Sequence, residues 1–211
     1  MKNMNKKIVR AEIVLVAHTH NLSMITEDWI KDKNLINEKP IQTANLPGMA
    51  NFISQSYQIV ATDQKIVFAT NRDHNDNINV LQKLVYDYVE GNKYLNYVAL
   101  GYNFITIVQA ENEELPKFTL LTDKKESISD IFKDGEVSFG GIVYVSKNNH
   151  KIRINIDRNI GSLELKFNYH FDLAGKNNRE VLTILNEFHD SYEDSKRIVS
   201  CILNKKGGES V

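Results

Sequence analysis

A chain of 211 residues with 26 Lys+Arg against 27 Asp+Glu has a formal charge of -1, with both signs scattered along it. That balance argues against a protein that holds a nucleic-acid duplex by its phosphates, which needs a basic excess. The one cysteine, Cys201, excludes an internal disulfide and any Cys-x-x-Cys redox or zinc motif.

The N-terminus from Met1 to Lys7 is basic, but the apolar stretch behind it is interrupted by Arg10 and Glu12, unlike the core of a signal peptide. No apolar run approaches the ~18 residues of a membrane helix. The expectation is a cytoplasmic protein without a membrane segment, and the Asn/Lys/Ile-rich composition fits a microbial chain. The pattern from Arg10 to His18 predicts a strand, and Ser23 to Ile36 a helix that Ser23 or Thr26 can cap. Pro40, Pro47 and Gly48 then demote any strand around Ile41 to Ala44 to a short one or a sheet edge. Phe52 to Thr62 and Lys65 to Thr70 read as a hairpin turned at Asp63-Gln64.

Asp76 to Glu90 predicts an amphipathic helix with Val80, Leu81, Leu84, Val85 and Tyr88 on one stripe and Gly91 at its stop. Tyr94 to Gln109 predicts a long strand rich in aromatic and β-branched residues, with Gly101 as a bulge. Glu111 to Lys133 is mixed, with a helix expected over Ser127 to Phe132. Three strands follow, Glu136 to Ser146, Lys151 to Asp157 and Ser162 to Phe171, and then one long helix from Asn177 to Leu203.

Residues 1–92 and 93–204 thus repeat one order: strand, helical link, meander, amphipathic helix. "NINVLQKLVYDY" from Asn77 and "NREVLTILNEFH" from Asn178 align Val80 with Val181, Leu81 with Leu182 and Leu84 with Leu185. The expected fold is α+β: a duplicated strand-helix-meander-helix unit forming a mainly antiparallel sheet with helices on one face, and a flexible tail over 205–211. This order resembles the TATA-binding-protein-like superfold. The likeness is topological and implies a fold without implying an activity.

"VAHTHN", Val16 to Asn21, is the stretch that most resembles a catalytic motif. A His-x-His pair at a strand end resembles the opening of metal-dependent amidohydrolases and of polymerase-and-histidinol-type phosphoesterases, because alternate strand residues point the same way. His18 and His20 would need further ligands, and His74 in "RDHND" or Glu111 are the candidates. The competing expectation is an ordinary strand exit, since aligning the halves lays "AHTHN" over "VQAEN" with Gln109 and Glu111 at the histidine positions. A possible divalent metal is the only cofactor the sequence suggests.

"NRDHND" lacks the ligand count and glycine of a calcium loop and reads as a capped helix start. Gly140-Gly141 has no Lys-Ser/Thr behind it and reads as a bulge in a strand. Tyr94, Tyr97, Tyr102, Phe104, Phe139 and Tyr144 could form a stacking platform for single-stranded nucleic acid, but few basic residues interleave them. Core packing is the simpler expectation. No nucleophile elbow, phosphate loop or dinucleotide fingerprint occurs in the chain.

Interaction is therefore the favoured function: a non-catalytic module, subunit or regulator, meeting a protein partner or a second copy of itself. Two surfaces suggest themselves. One is the end of the last helix, with Tyr192 inside the charged "DSYEDSKR" and Val199, Ile202 and Leu203 beyond it, the equal alternative being that this end folds back over its own sheet; the other is an exposed edge strand such as Phe52 to Thr62. A metal-dependent hydrolase and a single-strand nucleic-acid binder are the alternatives.

Overall fold

Alternation of apolar and polar residues builds the sheet. The computed structural model describes residues 5–32, 36–72, 75–109, 141–146, 149–159 and 161–203. Its strands are β1 (Asn5–Ala17), β2 (Gln42–Leu46), β3 (Met49–Ile53), β4 (Tyr57–Thr62), β5 (Lys65–Thr70), β6 (Tyr97–Gln109), β7 (Gly141–Ser146), β8 (Lys151–Asn159) and β9 (Ser162–Asp172). The helices are α1 (Glu27–Asp32), α2 (Asn75–Gly91), α3 (Asn178–Leu185) and α4 (Phe188–Leu203), with a 3-10 turn at Leu22–Met24.

Among the described residues the strands form one sheet in the order β2-β3-β4-β5-β1-β6-β9-β8-β7, every neighbouring pair antiparallel. The two thirteen-residue strands, β1 and β6, pair at its middle, Ile13 opposite Tyr102 and Leu15 opposite Leu100. Side chains of successive strand residues point to opposite faces. Ile13, Leu15, Ile59, Ile66, Phe68, Leu100, Tyr102, Phe104, Leu165 and Phe167 accordingly share one face and are buried. Helices α2 and α4 pack on that face, α2 against β1 and β5 and α4 against β6 and β9, while α3 rests on α2. The architecture is α+β, with a mainly antiparallel sheet and its helices on one side.

Several local expectations need correction. Phe52 to Thr62 is not one strand: it breaks at Ser54–Ser56, where the Ser54 hydroxyl and the Ser56 amide both donate to one oxygen of Glu38, at 2.7 and 2.8 Å. Nor is it an edge, since β4 has partners on both sides and the outer strand is β2. Leu46 faces Met49 across a two-residue Pro47-Gly48 turn, in which Gly48 takes φ +78°, a value that suits glycine.

Gly101 lies in regular register between Val14 and His170, and the bulges fall elsewhere: one in β1 between Ile8 and Arg10, the other in β6 between Tyr97 and Ala99. The helix expected from Ser23 is only α1, with the Trp29 amide donating to the Thr26 hydroxyl at its start. The helix expected over Ser127 to Phe132, the Gly140 half of the glycine pair and the tail 205–211 lie outside the described residues.

The last helix is two helices. α3 starts on a capping box, the Asn177 side chain accepting from the Glu180 amide while Glu180 accepts from the Asn177 amide. It stops where its final carbonyls are taken by tertiary partners: Tyr102 Oη donates to Ile184 O at 2.6 Å and Gln82 Nε2 to Leu185 O at 2.9 Å. After Asn186-Glu187 the chain re-enters a helix that lies on the sheet.

Candidate functional site

β1 ends at Ala17, and the two-residue rule ends with it. The His18 amide donates to Asn96 O at 3.2 Å and the His20 amide to Asp63 O at 2.7 Å, so the exit is strung between the start of β6 and the β4–β5 turn. His18 is exposed. His20 is 6 % exposed, its Nδ1 lies 3.1 Å from the Tyr88 hydroxyl, and its ring packs at a tilt against Tyr88 and Tyr97. Burial lowers the His20 pKa, against an opposing effect of the Leu15 and Gln64 backbone. Burial also pushes the Tyr88 phenol up to about 12 and raises Tyr97.

His20 is thus the polar member of an aromatic cluster, and the structure does not bring the two imidazoles of His18 and His20 together. The expectation of a shared face fails because the strand has already ended. Among the described residues no group of three His, Cys, Asp or Glu side chains converges as a metal site would require. His74 and Glu111 lie outside the described residues.

The other face of the sheet carries no described helix, and its side chains form two adjoining rows. Val60, Val67 and Val14 sit opposite one another across β4, β5 and β1, each half-buried. One pair along the strands runs a polar row. Arg10 donates to Gln58 Oε1 at 3.0 Å, to Asn71 Oδ1 at 3.2 Å and to one oxygen of Glu12. Asn103 Nδ2 donates to the other Glu12 oxygen at 3.0 Å, and Asn168 Nδ2 donates to Asn103 Oδ1 at 2.6 Å.

Each link fixes the next. The row crosses β4, β1, β6 and β9 with every amide oriented by its neighbour, which is the condition for a polar network to hold one geometry. Register places Arg153 of β8 beside Asn168, and Tyr144 of β7 beside Arg153, whose guanidinium lies 5.9 Å from the Tyr144 ring centre. Lys166, hydrogen-bonded to Glu164 at 2.9 Å and Asp157 at 3.3 Å, has its pKa raised by those carboxylates, Glu164 foremost.

Between these side chains lies a shallow groove of 440 Å³ over β1, β6, β9 and β8, lined by Glu12, Asn103, Arg153, Asn155, Lys166 and Asn168 among others. Its polar chemistry consists of amides, two cations and a carboxylate already held by two donors. That set suits recognition by hydrogen bonding and charge, and it offers no hydroxyl, thiol or imidazole as a nucleophile.

The remaining sequence candidates fall elsewhere. Tyr192, Val199 and Leu203 are buried in the chain's own core and Ile202 is half-buried against it, so the C-terminal stripe is taken up by the sheet. The break at Asn186-Glu187 is what lets α4 lie there. Tyr102 and Phe104 also face the core, because their parity puts them under the helices, and Tyr97 joins them because the extra residue Val98 shifts the alternation. Tyr144 lies on the uncovered face, Tyr94 in the turn before β6, and Phe139 outside the described residues. The polar row becomes readable as the register line Glu12, Asn103, Asn168 and Arg153 once strand order is known.

Among the described residues no helix is long and apolar enough to cross a membrane. No protein-family model matches the sequence, and no curated protein matches it.

Proposed function

We propose that this chain is a non-catalytic interaction module of the cytoplasm, which engages a protein partner or a second copy of itself through the uncovered face and outer strands of its sheet. The observation that carries the reading is the pairing of a half-buried valine row, Val14, Val60 and Val67, with a pre-ordered polar row from Arg10 to Asn168. An apolar centre flanked by oriented polar groups is the make-up of a protein interface. The outer strands add to it: Leu46 beside β3 is 54 % exposed, and Tyr144 on β7 is 71 % exposed. An exposed thiol at Cys201 is compatible with a reducing compartment.

Internal duplication belongs to the same reading. Outward from the β1–β6 pair the sheet runs β5, β4, β3 on one side and β9, β8, β7 on the other, so each half lays down its first strand centrally and its meander outward. In that reading the polar row straddles the join between the two units.

Size-exclusion chromatography with light scattering, on the full chain and on Val60→Glu/Val67→Glu, tests the proposal. Both positions face away from the helices, and an unchanged circular dichroism spectrum is the check that the variant keeps its fold, with Val60→Lys alone as the second variant if the paired carboxylates unfold it. The expected result is self-association, or retention of a co-purified partner, in the parent and its loss in the variant. A monomer that retains no partner in either form sinks the reading.

A further inference from the structure

The row that carries Val60, Val67 and Val14 does not end at β1. Its next member is Gly101 of β6, opposite Val14 on one side and His170 of β9 on the other. Three half-buried valines thus stand beside a position with no side chain, a notch in the uncovered face. The fold of the chain itself does not call for glycine there. Gly101 has no positive φ and sits at no bulge, and a Cβ built on it would meet Tyr169 O at 3.6 Å and Val14 Cβ at 3.8 Å, which are ordinary contacts. Glycine inside a strand weakens the sheet, and it often marks a place where another molecule comes close.

We propose that a second copy of this chain packs on this face, about a two-fold axis that runs along the strands between β5 and β1. The inference rests on the reading of the chain as an interaction module and says which partner the valine row takes. Strand order fixes what meets. Outward from the axis, β5 lies over β1 of the other copy and β4 over its β6, so Val67 meets Val14 and each Val60 enters the Gly101 notch opposite. The two-fold makes each of these contacts twice.

Charge follows the same axis. Arg10 donates to Gln58 of β4 and Glu12 of β1, and Ala69 of β5, 1 % exposed, stands in register between those two acceptors. The rotation lays that guanidinium over Glu12 of the other copy, so opposite charges face each other across the contact. Lys65 stands at the first position of β5, where its long stem carries the ammonium to the rim. Area agrees as well. The six strands centred on the axis, β3-β4-β5-β1-β6-β9, span about 29 Å at ~4.8 Å each, and with ~18 Å of shared length two copies bury roughly 1,000 Å². That is the lower bound of a specific interface, the mark of a reversible dimer.

The experiment is light scattering on the full chain over a concentration series, with Gly101→Val as the variant. The parent is expected to pass reversibly from monomer to dimer. Gly101→Val fills the notch at a site with room for a Cβ and raises β propensity, so it should melt no lower than the parent and yet stay monomeric at every concentration. A second arm does not depend on that variant. In a Cys201→Ser background, a short bismaleimide should join two copies of Lys65→Cys, beside the axis, and not two copies of Lys151→Cys on β8, several strands away from it. A dimer that persists in Gly101→Val, or that crosslinks through Lys151→Cys and not through Lys65→Cys, overturns the proposal. So does a parent that is monomeric throughout but retains a different protein, a result that leaves the interaction module standing; a monomer that retains nothing sinks both.

Discussion

Phe104 and Asn103 are adjacent in β6 and face different surroundings. Phe104 is fully buried, 5.5 Å from the ring of Phe188 and 5.8 Å from those of Tyr169 and Tyr192. Asn103 points the other way, linked to Glu12 and Asn168 in a row that water reaches from one side. The covered face stabilises by area and close packing. The uncovered face exchanges water hydrogen bonds for protein ones, a nearly balanced trade, and so remains available for binding. One strand serves both because its side chains alternate.

Substitutions that separate the two faces sharpen this contrast. The largest effect is expected from Phe104→Ala, a loss of about 3–5 kcal/mol from a packed core, read from urea unfolding midpoints. A loss under ~1 kcal/mol would mean that the helix layer does not carry the fold. Acid comes next, through His20 at the exit of the covered face. Its pKa is lowered by burial, so the folded state prefers the neutral ring. Stability is full above the ordinary value of 6.5 and falls as pH drops below it towards the lowered folded value. The slope due to this group is at most ~1.4 kcal/mol per pH unit, the limit for one proton. In melting curves collected from pH 8 to 5, His20→Gln should remove that component, and an unchanged profile would place the acid sensitivity elsewhere.

On the uncovered face, Glu12→Ala should cost about 1 kcal/mol, since Arg10 and Asn103 each lose an acceptor yet keep access to water. A cycle with Asn103→Ala should give a coupling of about 0.5–1 kcal/mol; strict additivity would show that the row is not a connected unit. The smallest effect is expected from Tyr144→Ser at the outer strand, within ~0.5 kcal/mol on stability, while any association through that face weakens. If Tyr144→Ser destabilises as much as Phe104→Ala, the distinction between the faces collapses.

Much of the sheet was legible because alternation is a local signal: β6, the β8–β9 meander and helix α2 can be drawn from residue order alone, and Pro47-Gly48 marks β2 as an edge. What stayed hidden depends on distant partners. No proline or glycine stands at Asn186-Glu187; the helix stops there because Tyr102 and Gln82 take its last carbonyls. The break inside Phe52–Thr62 is held by Glu38, well upstream in the chain. Of the candidate sites, His18 and His20 part where the strand ends at Ala17, as an ordinary strand exit has them, and the C-terminal stripe folds back over its own sheet, the alternative its sequence also offered, because the break at Asn186-Glu187 bends the chain onto it. The polar row could not be seen before strand order set Glu12 of β1 opposite Asn103 of β6.

The central position of β1 also has a consequence for how the chain is made. β1 finds one partner, β5, within the first 70 residues, but its other edge is filled only by β6, which begins at Tyr97. During synthesis the leading half emerges with its longest strand unpaired along one side, an open template for wrong pairing. Closing the β1–β6 seam brings together segments about ninety positions apart. Such non-local closure puts refolding in the millisecond-to-second range of β-rich topologies, with seam formation as the step that ends exposure to aggregation.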